Sequence, residues 1–176
     1  MKLTKAQGFA LIDLLFVCGI IGILAGVALP SMLKAKQSAS SASAIGSMRS
    51  INSAQLTFAL TCSGGFYAPN LTTLGYPPAG SRESFLGGGL TASDSVTKSG
   101  YAYTVEGTPF ATAPASCNGL AVGEATQGFI AIADPTEPTN SRFFAINASG
   151  SLYEHSASLY SVMPELGPPP VGHVVR

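Results

Sequence analysis

The sequence predicts an α+β chain: a long N-terminal helix, apolar in its first half, packed in its second half against a small antiparallel sheet. Three observations carry this. From Phe9 to Leu29 the only charge is Asp13. From Ser31 to Leu60 there is no proline and only one glycine, Gly46. After residue 100 come short apolar runs of strand length, separated by turn residues.

The 176 residues are room for one domain with an anchor. Charged residues are 10% of the chain, well below the roughly 25% of an ordinary soluble domain. Nine basic and nine acidic side chains cancel. That balance excludes nucleic-acid binding through bulk positive charge, which needs clustered Lys and Arg. Three cysteines cannot build an all-cysteine zinc site.

Residues 9–30 form the first half of the helix. At about 1.5 Å per residue this span reaches roughly 30 Å, the thickness of a bilayer core. Lys2 and Lys5 precede it. Positive charge before an apolar span holds that end in the cytoplasm and places Ser31 onward outside. The apolar stretch exceeds the roughly 7–15 residues of a secretory signal, and Pro30 stands where a small-residue cleavage site would be needed. A single-pass anchor explains length and polarity, but not Asp13. A carboxylate inside an apolar span costs about 2.5–3.5 kcal/mol on insertion scales, which an idle anchor has no reason to carry.

The run Lys5-Ala6-Gln7-Gly8-Phe9-Ala10-Leu11-Ile12-Asp13-Leu14-Leu15 resembles the class III signal of type IV pilins and type II secretion pseudopilins. The resemblance implies that residues 1–8 are a leader and that a prepilin peptidase cuts between Gly8 and Phe9. It then implies methylation of the new Phe9 amine. Asp13 stands where the family usually carries Glu, and the family's glycine and proline fall on Gly22 and Pro30. Subunits of such filaments bundle their apolar helices. Asp13 of one subunit can then neutralise the Phe9 amine of its neighbour, a buried pair whose breaking costs about 3–5 kcal/mol. Aspartate shortens the reach by one methylene. Gly22-Ile23-Leu24-Ala25-Gly26 also has the small-xxx-small spacing that lets membrane helices approach. Pro30 removes a backbone donor and is expected to kink the helix, with Gly22 to Pro30 its weak stretch.

Residues 31–60 continue the helix. Met32, Ala35, Ala39, Ala42, Ile45, Met48 and Leu56, with Ile51 or Ala54 between, recur at helical spacing and form the expected sheet-facing stripe. Residues 61–100 hold Ser63-Gly64-Gly65, Pro77-Pro78 and Gly87-Gly88-Gly89 and are expected to be an exposed loop, with one short helix over residues 69–75. Residues 101–160 hold the sheet, with strands at 101–105, 128–133, 142–146 and 151–154 and a hairpin tip at Asn147-Ala148-Ser149-Gly150. Residues 161–176 carry four prolines and are expected to be an exposed or disordered tail.

Cys62 and Cys117 both fall outside the membrane under this topology, in an oxidising compartment, where a disulfide is the default. Two free buried thiols are the alternative. Cys18, inside the apolar span, behaves as a small hydrophobe. Cys117 with His155 could be cast as nucleophile and base, but a disulfide would disable them. Asp134, Glu137 and Asn140 are closely spaced oxygen ligands, yet calcium takes about six to eight. No catalytic residue, cofactor or metal is therefore assigned. Phe9, Phe16, Phe58, Phe66 and Tyr67 are expected to pack rather than to carry electrons.

The expected function is that of a structural subunit of a type IV pilus or pilus-like filament. The resemblance implies its partners: the prepilin peptidase, identical or related pilin subunits, the inner-membrane assembly platform and the membrane itself. The subunit would be a single-pass inner-membrane precursor and then part of an extracellular or periplasmic filament. One alternative is a pseudopilin of a type II secretion system. Another is a membrane-anchored extracytoplasmic binding domain that never polymerises.

Overall fold

The computed structural model describes residues 11–87 and 89–175. It is α+β, with one long N-terminal helix and a six-stranded antiparallel sheet. Two compact units divide the chain, residues 1–39 and residues 40–176. The helix α1, Leu11–Thr61, runs through Gly22 and Pro30 as one element. The Ser31 hydroxyl, one residue after Pro30, donates to the Ala28 carbonyl at 2.8 Å.

In the second unit, the short helix α2, Leu71–Gly75, starts at Asn70. Asn70 Oδ1 accepts from the Thr73 amide at 3.0 Å, an N-cap that satisfies one otherwise orphaned donor. The strands follow as β1 (Ser95–Lys98), β2 (Tyr101–Glu106), β3 (Ile130–Pro135), β4 (Phe143–Asn147), β5 (Leu152–His155) and β6 (His173–Val174). They pair in sequence order, all antiparallel.

The sheet buries both faces. On one face Tyr101, Tyr103 and Val105 of β2, Ala131 and Ala133 of β3, and Phe144 and Ile146 of β4 pack with Ala44, Met48, Ile51, Ala54 and Phe58 of α1. The alternation along β2 is clean, because its other face is only half covered. On the second face Ile132, Ala145 and Tyr153 pack with Leu159 and Met163. Burial on both sides is why Phe143-Phe144-Ala145-Ile146 shows no alternation of apolar and polar residues.

Four expectations are corrected. The buried stripe of α1 is displaced from the one the apolar spacing suggests. Ala42 and Leu56 are exposed and Ile45 only half-buried, while Ser41, Ala44 and Gln55 are fully buried. Polar partners explain the displacement. Ser41 Oγ lies 3.0 Å from the Tyr101 hydroxyl, and the Gln55 side chain bonds the backbone of Ala68. Second, residues 61–100 contain a strand, β1. It turns into β2 through Ser99 and Gly100, at φ 52° and 80°, the two positive angles of a tight hairpin turn. Third, the tail is not free. Met163 is buried, β6 pairs with β5, and Asn147 Nδ2 donates to the carbonyls of Pro164 at 2.8 Å and Gly167 at 2.6 Å. Fourth, the third strand runs to Pro135 rather than starting at residue 128. The hairpin tip forms as expected, with the Gly150 amide donating to the Asn147 carbonyl at 2.9 Å.

Candidate assembly site

Asp13 sits in the first turn of α1 and is exposed. Around it Leu11, Ile12, Leu15 and Phe16 are exposed too. A helix that presents apolar side chains on every side is built to be covered, by lipid or by other helices. By length and composition it can cross a membrane. Among the described residues, nothing lies within 4 Å of a Cβ built on Gly19, Gly22 or Gly26. Gly8 and Phe9, the expected cleavage site and methylated residue, lie outside the described residues.

At the far end of α1 the expected disulfide is present. Cys62 and Cys117 are bonded, with Cα atoms 4.8 Å apart and a sequence separation of 55. The Cys117 amide also donates to the Cys62 carbonyl at 2.9 Å. Cys117 has no thiolate to offer His155.

The oxygen-rich turn does not converge. Asp134 Oδ2 accepts from the Ser158 hydroxyl at 2.6 Å, while its Oδ1 is buried without a hydrogen-bond partner. Burial raises the Asp134 pKa, and the Ser158 bond opposes that rise. Asn140 instead donates to the Tyr101 hydroxyl at 2.9 Å and accepts from the Arg142 amide. Glu137 is exposed. Among the described residues no group of three or more His, Cys, Asp or Glu side chains is placed to hold a metal ion.

One ion pair went unread in the sequence. Arg142 holds Glu154 through Nε at 2.6 Å and Nη2 at 2.8 Å, with the Arg142 guanidinium 5.3 Å from the Phe144 ring centre. These bonds lower the Glu154 pKa against the opposing effect of burial, and the charge of His173 adds to the lowering. Register places Arg142 one residue ahead of Phe143, opposite the end of β5. Only strand pairing reveals that neighbour. Phe58, Phe66 and Tyr67 pack on other rings, whereas Phe16 is exposed. Phe58 meets Phe85 edge-on, and Phe66 stacks on Phe110.

Comparison of the chain with protein-family models, with curated proteins and with solved structures finds no match in any of the three. The functional reading therefore rests on the chain's own residues.

Proposed function

We propose that the chain is a structural subunit of a type IV pilus-like filament, made as a single-pass membrane precursor and assembled after cleavage at Gly8–Phe9. One observation carries the reading: a lone carboxylate, Asp13, stands on an apolar helix whose described side chains are exposed from Leu11 to Lys36. A bilayer covers such a surface before assembly, and the same helices of other copies cover it afterwards. The carboxylate then meets the new Phe9 amine of a neighbour, so that each charge removes the other's desolvation cost. The disulfide-closed sheet unit fits life in an oxidising compartment.

The test is mass spectrometry of the N-terminal peptide in filaments sheared from cells, set against the membrane fraction. A methylated Phe9 peptide abundant in the sheared material supports the pilus subunit. The same peptide confined to the membrane favours a secretion pseudopilin. An intact Met1 leader in both fractions returns the chain to a plain anchored domain. Asp13→Ala should leave the protein in the membrane and lower its recovery in sheared filaments by at least about tenfold. Gly8→Glu should block cleavage.

A further inference from the structure

The uncharged stretch of α1 runs past Pro30. Asp13 and Lys34 bound it, and the twenty residues between them, 14–33, carry no charge. At about 1.5 Å per residue they cover roughly 30 Å, the depth of a bilayer's hydrocarbon core. A span over residues 9–29 has nearly the same length but a different content. It puts Asp13 into hydrocarbon and leaves Met32 and Leu33, 70% and 62% exposed, to water.

The residues after Pro30 decide between the two placements. The Ser31 hydroxyl donates to the Ala28 carbonyl at 2.8 Å. It therefore enters hydrocarbon already satisfied, as polar groups there must be. Met32 and Leu33 are apolar, exposed and part of neither buried cluster of the described residues. Lipid covers them where water would not. Lys34 is exposed too and is the first cation after the stretch. Its four-carbon stem lies along apolar surface while the ammonium reaches the polar headgroups. At the other end Asp13 stands one position before the stretch begins. Its carboxylate then lies in the headgroup layer and escapes the cost of a charge in hydrocarbon.

We infer that the precursor crosses the membrane through residues 14–33, with Asp13 at the cytoplasmic headgroups and the Lys34 ammonium against lipid phosphate in the opposite leaflet. The partner is a phospholipid surface, matched by one anion and one cation set a bilayer's depth apart on an exposed helix. Lys36, also exposed, adds a second cation just beyond Lys34. The placement rests on the membrane-precursor reading and deepens it. Asp13 stays in the headgroup layer until assembly, and its carboxylate leaves water only when a neighbour's amine meets it.

The test is thiol accessibility in the full-length chain, in spheroplasts of a host that builds no filament. Cys18→Ala removes the free thiol, and the bonded Cys62 and Cys117 stay silent. Single cysteines then replace Ser31, Met32 or Ser38, and a membrane-impermeant maleimide is added from outside. A thiol in hydrocarbon does not ionise, so Ser31→Cys and Met32→Cys should label at least about tenfold more slowly than Ser38→Cys. Lys34→Glu sets like charge against phosphate and should raise Met32→Cys labelling by about tenfold, while Lys34→Arg should leave it low. In inverted vesicles Ile12→Cys should label and Phe16→Cys should not. Ser31→Cys and Met32→Cys labelled as fast as Ser38→Cys would end the span at Leu29. That overturns the placement and leaves the membrane reading standing, as does protection of Ile12→Cys. Unchanged labelling with Lys34→Glu overturns the phosphate contact. Labelling of Cys18 in the unaltered chain, or release of that chain by alkaline carbonate, overturns the membrane reading and the placement with it.

Discussion

Gln55 projects from the buried face of α1 and closes two hydrogen bonds on one residue, Ala68: its Nε2 donates to the Ala68 carbonyl at 2.9 Å, and its Oε1 accepts the Ala68 amide at 2.8 Å. Gln55 and Ala68 are both fully buried. The amide side chain thus takes the place of a strand neighbour for a loop residue that has none. Gln55→Leu keeps the volume but orphans a buried donor and a buried acceptor. The expected loss is about 2–4 kcal/mol, read from urea unfolding of the detergent-solubilised chain. An unchanged midpoint would mean that water reaches Ala68 and that the pair is not a structural element.

The Cys62–Cys117 bond encloses 55 residues of sequence separation, a span that includes α2, β1 and β2. Constraining a loop of that length in the unfolded chain contributes about 4 kcal/mol. Replacing both cysteines by serine should lower the unfolding free energy by that order. Protease cutting in residues 76–91 should rise with it. The intact chain without reductant is the reference.

Two carboxylates give the sheet unit opposing pH responses. Glu154 has a lowered pKa in the folded chain, chiefly through its bonds to Arg142. Its contribution is present above the unfolded carboxylate pKa of about 4.3 and is lost as pH falls through the folded value. Asp134 has a raised pKa through burial. Its contribution is present below the unfolded pKa of about 3.9 and is lost as pH rises through the folded value. At pH 7 Glu154→Gln should therefore destabilise, while Asp134→Asn should be neutral or stabilising. Near pH 3 the Glu154→Gln loss should shrink. Unfolding curves of both variants at pH 3, 5 and 7 check the signs. An Asp134→Asn chain markedly less stable at pH 7 would contradict the assignment.

Asn147 pins the C-terminal segment to the second face of the sheet through the carbonyls of Pro164 and Gly167. Beside it the Ala148 amide donates to the Glu165 carbonyl, and Glu165 Oε1 accepts from Thr108. Asn147→Ala removes three bonds from a fully buried side chain, the two to the segment and the one its Oδ1 accepts from the Ser149 amide. It should cost about 2–3 kcal/mol and open residues 156–172 to limited proteolysis. Cutting elsewhere first would show that the segment is held by Leu159 and Met163 alone.

Local patterns made much of this legible. The absence of charge between Phe9 and Leu29, except at Asp13, is a property of consecutive residues. So are the helix without breakers, the apolar runs that became β2 to β5 and the glycine-ended turn at Asn147–Gly150. The β1 strand had a signal too, the Ser99-Gly100 pair between Val96-Thr97 and Tyr101, but its strand is short and polar on its outer side. A two-residue turn is easily passed over in a stretch so rich in glycine and proline.

By itself, then, the sequence determined the α+β class, the apolar helix with its carboxylate, the order of the central strands and the pair of cysteines outside the span. Each depends on composition or on spacing along the chain. Only the tertiary structure decided which side of α1 faces the sheet, because Ser41 and Gln55 could be buried once Tyr101 and Ala68 supplied their partners. It also decided that a proline-rich tail covers the second face of the sheet. The part-buried carbonyls of Pro164 and Gly167 and the Glu165 carboxylate hold that segment in place, and no periodicity of its own announces them.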